Sequence, residues 1–254
     1  MPDAIFDDPT LAALYDPLDP DRSDLDPYVA IVDELGARSV LDVGCGTGTF
    51  ACLLALRGID VVGVDPAGAS LDVARAKPGA AGVRWFHGDA ATLPTVPPLQ
   101  VDLATMTANV AQVFLTDDAW TATLRGVRAA LVPGGHVVLE TRVPARRAWE
   151  GWVRDETFVR VDVPGVGVVE SWTELTDVAL PLVSFHDTTV LPDGRVLRSD
   201  STLRFRSREE VVASLAACGF VVEDVRDAPD RPGREWVFVA RAVGAVDGSG
   251  TRPT

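Results

Sequence analysis

The chain has 254 residues, 47% hydrophobic and 24% charged, which suits one globular domain with an insertion and excludes a disordered polypeptide. Its formal charge is −14, from 23 Lys and Arg against 37 Asp and Glu, so phosphate backbones and anionic lipid surfaces are not expected partners. The only lysine, Lys77, stands before Pro78, which leaves no G-K-[ST] phosphate loop and sets aside pyridoxal chemistry.

Residues 1–26 alternate Asp and Pro around a short helical piece near 11–15, with neither the basic nor the apolar region of a signal peptide. Tyr28, Ile31, Val32 and Leu35 are spaced for a helix that Gly36 ends. Regular alternation follows. Residues 39–43 read as a strand, then come a Gly-rich turn and a helix through Phe50, Leu53, Leu54 and Leu56. A second strand over 60–65 leads to a helix over 66–77, a third strand over 83–89 and, past a Pro-rich loop, a fourth over 101–107. A helix from about 117 to 131 puts Trp120, Leu124, Val127 and Leu131 on one face, and Pro133-Gly134-Gly135 turns it into a fifth strand over 136–141. Strands alternating with helices at this spacing predict βαβ units and a parallel sheet.

After Pro144 a helical stretch with Trp149 and Trp152 gives way to residues 157–206, which alternate as antiparallel strands with a hairpin signal at Asp193-Gly194. Ser207 and Glu210 form a capping box for a helix ending at Gly219. Strands over 220–227 and 234–242 are joined by only Ala228 to Gly233, too short for a parallel crossover, so the last strand runs antiparallel to its neighbour. The Gly- and Ser-rich tail over 243–254 is expected to be disordered. Cys45, Cys52 and Cys218 have no metal-type spacing, and no apolar run reaches a membrane span. A cytoplasmic protein with reduced thiols, no bound metal and no membrane contact is expected.

The chemistry concentrates in Asp42-Val-Gly44-Cys45-Gly46-Thr-Gly48-Thr49-Phe50, between the first strand and its helix. A dinucleotide fingerprint would need glycine where Thr49 stands, and the carboxylate of Asp42 would repel a pyrophosphate. Asp65, at the end of the second strand, is placed to accept two ribose hydroxyls, although before Pro66 it also suits a helix N-cap. Asp89, at the third strand's end, is placed to receive an adenine amino group. Three acids at adjacent strand ends around a glycine loop describe an adenosyl ligand that carries positive charge and no phosphate.

VLDVGCGTGTF, VVGVD, HGDA and LVPGGHVVLET, in that order, resemble the successive motifs of the class I S-adenosylmethionine-dependent methyltransferases of small-molecule type. The resemblance covers nearly the whole chain. It implies an α/β, Rossmann-like, seven-stranded and mostly parallel sheet of order 3-2-1-4-5-7-6, with an antiparallel β insertion after strand 5. It implies S-adenosyl-L-methionine as cofactor and S-adenosyl-L-homocysteine as product. Gly44, Cys45 and Gly46 would approach the methionine part, Asp65 and Pro66 the ribose, and Asp89 with Ala90 the adenine, while Asp42 would orient the cofactor end. Tyr15 and Arg22 resemble an N-terminal segment that closes over the cofactor. Met106, Asn109 and Gln112 follow strand four, where family members line cofactor and acceptor. The [DNS]-P-P-[YFW] motif of DNA amino-methyltransferases is absent there.

The chain divides into an N-terminal lid (1–36), a cofactor-binding core (37–149 and 207–242), an acceptor-binding insertion (150–206) and the tail. The expected reaction is in-line transfer of a methyl group to N or O of a small molecule. His186 and Glu140 are the candidate general bases, and Trp149, Trp152, Phe158, Trp172 and Phe185 are candidates for either an acceptor wall or the core. A monomer or homodimer is expected. The alternative is a non-methylating adenosylmethionine-binding cyclase or sensor on the same scaffold, since fold does not fix chemistry.

Overall fold

The computed structural model describes residues 2–93 and 99–243, so the expected tail lies outside the described residues except for Val243. Two helices, α1 (Ala4–Asp7) and α2 (Pro9–Leu18), open the chain. The Asp8 carboxylate caps α2 by accepting from the N–H groups of Thr10 and Leu11 at 2.8 and 3.0 Å, and Pro9 takes the first helical position, where a missing N–H costs nothing. Then follow α3 (Asp26–Glu34), β1 (Ser39–Val43), α4 (Thr49–Leu56), β2 (Asp60–Asp65), α5 (Gly68–Arg75), β3 (Val83–His87) and β4 (Val101–Met106). The chain continues through α6 (Asp117–Ala130), β5 (Leu131–Arg142), α7 (Arg154–Thr157), β6 (Val159–Val163), β7 (Gly167–Ala179), β8 (Leu182–Val190) and β9 (Val196–Arg204). It closes with α8 (Arg208–Ala217), β10 (Phe220–Asp227) and β11 (Glu235–Ala242).

Seven strands form one sheet in the order β3-β2-β1-β4-β5-β11-β10. The pairs from β3 to β5 are parallel, while β11 is antiparallel to both β5 and β10. This is the expected 3-2-1-4-5-7-6 order, with β11 and β10 in the seventh and sixth places. Apolar residues cover both faces, as a parallel sheet requires. One face packs Trp120, Leu124 and Val127 of α6 and Leu215 of α8 over Met106, Leu139 and Phe238. The other packs Tyr28 and Ile31 of α3 and Phe50 and Leu54 of α4 over Val40, Leu103 and Val138. Helix α6 starts where Thr116 accepts from the Ala119 N–H, and its buried residues recur at helical spacing: Trp120, Thr123, Leu124, Val127.

The second sheet, β6-β7-β8-β9, is antiparallel throughout and contains the predicted Asp193-Gly194 hairpin turn. Leu14 of α2 packs with its Val163, Val169 and Leu191, so the N-terminal helices bridge the two sheets. Several boundaries differ from expectation. β5 begins at Leu131 rather than at 136: Leu131 pairs with Val101 and His136 with Leu103, and the Pro-Gly-Gly segment bulges between them. β3 stops at His87, opposite Asp65 at the end of β2, and α5 starts at Gly68, after the turn in which Asp65 accepts from the Ala67 N–H at 2.8 Å. The helical stretch after Pro144 is two short 3-10 turns and α7. Among the described residues, no helix is long and apolar enough to cross a membrane.

Candidate active site

The carboxyl ends of β1, β2 and β4 open into a cavity of about 810 Å³, where open α/β sheets hold their ligands. Asp42, near the end of β1, is 1% exposed and accepts a hydrogen bond from the Thr105 hydroxyl at 3.1 Å. Burial pushes its carboxyl up to about 7; the Thr105 bond opposes this and the neighbouring Asp65 adds to it. The chain then turns through Gly44 (φ +68°), whose N–H donates to the Val64 carbonyl at 2.8 Å. A Cβ at Gly44 would stand 2.6 Å from a Val110 methyl, so only glycine admits the loop after β4 this close.

Gly46 (φ +53°) is different: a Cβ there would meet nothing within 4 Å, and its N–H donates to Asp65 Oδ2 at 2.8 Å. Asp65 accepts from Ala67 with its other oxygen and so ties the first and second strand-to-helix turns together. Burial raises its pKa, opposed by those two backbone N–H bonds. Cys45 lies between the glycines, and burial raises its thiol well above the usual range, which disfavours the thiolate.

The N-terminal helices cover this floor. Tyr15 packs on Phe6 with ring centroids 5.7 Å apart, and burial pushes its hydroxyl upward. Arg22 lines the cavity and pairs with Asp24 at 3.1 Å. Lys77 Nζ stands 2.6 Å from Asp16 Oδ2 of α2 and donates to the Thr49 and Thr47 hydroxyls, fastening α2 to the glycine loop. Thr47 itself donates to Asp16 at 2.8 Å.

Of the expected cofactor residues, Tyr15, Arg22, Asp42, Gly44, Cys45 and Gly46 line the cavity, as do Asp65, Pro66 and Asp89. Ala90, Met106 and Asn109 do not: Ala90 and Met106 turn into the hydrophobic core, while Ala91, Thr107, Ala108 and Val110 beside them form the wall. Asn109 is turned away from the cavity toward β5 and β11, where it donates to Glu140 and Glu235. Gln112 is likewise buried off the cavity and accepts from Arg142.

Both expected bases are displaced from the wall. Glu140 is 1% exposed and fully engaged, accepting from the Tyr28 hydroxyl and, at 2.9 Å, from the Asn109 N–H. His186 sits 3.3 Å from Glu174 and pairs across the strands with Asp200; it is Asp200 that reaches the cavity. Of the five aromatic candidates only Phe185 lines it. Trp152 packs at a tilt against Phe185, Trp149 packs on Phe205, and Phe158 and Trp172 gather around Arg154.

Asp3, Phe6, Phe114, Thr123 and Ser201 join the wall without having been expected. Their residue types carry no spacing signal. Among the described residues, no cluster of His, Cys, Asp and Glu could hold a metal ion.

Residues 40–135 match the methyltransferase domain family. Over 111 residues the chain is 36% identical to the cypemycin N-terminal methyltransferase of a Streptomyces species, across 44% of each protein. The chain thus spans less than half the length of this curated relative. Among solved structures, the CcbJ methyltransferase from Streptomyces caelestis superposes with a TM-score of 0.73 at 26% identity, over 92% of this chain and 96% of that one. The amino pentose methyltransferase CalS10 from Micromonospora echinaspora, solved with S-adenosylmethionine bound, gives 0.72 at 26% identity, over 92% and 97%. By motif order, sheet topology and these likenesses, residues 40–135 carry a methyltransferase domain, and the chain has the fold of the class I S-adenosylmethionine-dependent methyltransferases.

Proposed function

We propose that the protein transfers a methyl group from S-adenosylmethionine to the amine of a small, hydroxyl-rich acceptor such as an amino sugar. One observation carries this reading: a single cavity joins the glycine loop to the wall of the four-stranded sheet. The residues present fit the cofactor. Gly46 opens onto free space, and two buried carboxylates disfavour a pyrophosphate and tolerate a sulfonium. Gly44 and Gly46 would hold the methionine part, Arg22 its carboxylate, Asp65 the ribose, and Asp89 with Ala91 the adenine edge. Bound there, the cofactor supplies an electrophilic methyl group.

The chain's own work is positioning and exclusion of water. Helices α1 and α2 roof the floor of the site, and the Asp16–Lys77 link keeps the roof on the glycine loop. Phe114 and Phe185 offer flat apolar surface, while Ser184, Ser201 and Thr202 offer hydroxyls, a combination that suits a sugar ring. Asp3 and Asp200 are the carboxylates on that side; they attract an ammonium and accept the proton it sheds before attack. Orienting two reactants in this way supplies roughly 7–11 kcal/mol of barrier reduction. The likeness to an amino pentose methyltransferase supports the amine.

In this reading residues 1–36 are the lid, 37–149 with 207–242 the cofactor unit and 150–206 the acceptor unit. A monomer or homodimer in the cytoplasm fits the acidic surface and the free Cys45, Cys52 and Cys218. The test is mass spectrometry of amino sugars and their hydroxyl counterparts incubated with protein and S-adenosylmethionine. Methylation confined to the amines, and lost in Asp200→Ala, is expected. Methylation of the hydroxyl compounds alone would overturn the amine assignment.

A further inference from the structure

Strand β4 ends at Met106, and the next turn places two consecutive non-glycine residues in the left-handed region, Ala108 at φ +52° and Asn109 at φ +61°. Alanine has no side chain to compensate there, so the surrounding structure must hold the turn. A buried polar network does so. Glu140 of β5 accepts from the Asn109 N–H at 2.9 Å, and Glu235 of β11 accepts from Asn109 Nδ2 at 3.0 Å. The Tyr28 hydroxyl occupies the other oxygen of Glu140, and Arg231 pairs with Glu235 at 3.1 Å. Arg142, the cross-strand partner of Glu235, donates to Gln112 at 3.0 Å and so fixes the far end of the same turn.

Asn109, Glu140, Glu235 and Gln112 are absent from the cavity wall, yet the turn they grip supplies Thr107, Ala108 and Val110 to it. Val110 is also the residue pressed against Gly44. The network therefore sets the spacing between the glycine loop and the wall opposite.

We propose that Asn109, tethered through its side chain to Glu235 and through its backbone to Glu140, is a positioning residue that holds the Thr107–Val110 turn against the glycine loop for cofactor binding and methyl transfer. This rests on the methyltransferase reading above.

The test is calorimetric titration with S-adenosylhomocysteine, which needs no acceptor, alongside thermal melts of the unliganded proteins. Asn109→Gly tolerates the left-handed backbone and removes the side chain with its Nδ2 donor, whereas Asn109→Ala also opposes the backbone. Both are expected to bind at least tenfold more weakly, with Asn109→Gly melting close to wild type. Glu235→Gln, which still offers Asn109 an acceptor, is expected to stay within about threefold of wild type, and Glu235→Ala to fall with the Asn109 variants. Wild-type affinity in Asn109→Gly, or equal losses in Glu235→Gln and Glu235→Ala, would overturn the tether. If Glu235→Ala does not fold, the Asn109 pair decides. A wild-type protein that bound no S-adenosylhomocysteine would overturn the methyltransferase reading, and this proposal with it.

Discussion

At Asp42 a fully buried carboxyl has the Thr105 hydroxyl as its hydrogen-bond partner, and burial raises its pKa from 3.8 to about 7. The folded state therefore binds a proton that the unfolded state releases between those values, so this group's contribution to stability falls as pH rises through that window. Asp42→Asn removes the effect. Relative to wild type, the unliganded variant is expected to gain about 3–4 kcal/mol between roughly pH 4 and pH 8, read from urea midpoints at the two ends. Glu140, raised to about 7 mainly by burial, has the same sign, so the comparison must be with wild type at each pH. An identical pH dependence in the variant would contradict the assignment. Asp65 acts differently, because its two backbone partners hold the loops in register. Asp65→Ala is expected to weaken S-adenosylhomocysteine binding by about tenfold to a hundredfold, the worth of charge-assisted hydrogen bonds. An unchanged dissociation constant would remove it from the site.

Helix α6 lines the cavity with Ala119, Ala122 and Thr123, and its glycine packs on the turn behind that wall. A Cβ on Gly126 would overlap the Ala90 carbonyl, at the turn that follows Asp89 on the cavity wall. Gly126→Ala is expected to cost about 1–3 kcal/mol in denaturant unfolding, since the obstacle is backbone rather than a mobile side chain. Helix α2 is held by a link that is partly exposed, and Lys77→Met is expected to change stability by no more than about 1 kcal/mol. The same variant is expected to release S-adenosylhomocysteine several-fold faster in stopped-flow chase; an unchanged rate would show that α2 does not gate the cavity. Elements such as these were legible where period and punctuation agreed. Trp120, Leu124 and Val127 mark α6, and the six residues from Ala228 to Gly233 force β10 and β11 antiparallel. The start of β5 was not legible, because Pro133 and the glycines after it read as a turn while the chain resumes pairing on either side of a bulge.

Across the whole molecule, most of the first wall of the cavity was readable, whereas of the second only Phe185 was. Asp42, Gly44, Gly46 and Asp65 lie within one strand-turn-helix unit and the next, where sequence spacing is spatial spacing. Asp3, Phe114 and Asp200 line one cavity because Leu14 binds the N-terminal helices to the inserted sheet and Arg204 and Arg206, at that sheet's end, hold the segment after β4, a long-range arrangement with no local signature. Glu140 illustrates the same gap: its position in a strand says nothing of Tyr28 and Asn109, which claim both its oxygens. The most direct test of the central claim is parallel calorimetric titration of the intact protein with S-adenosylmethionine, S-adenosylhomocysteine and NAD. Micromolar binding of both adenosyl ligands with no heat from NAD is predicted. Binding of NAD alone would contradict the account.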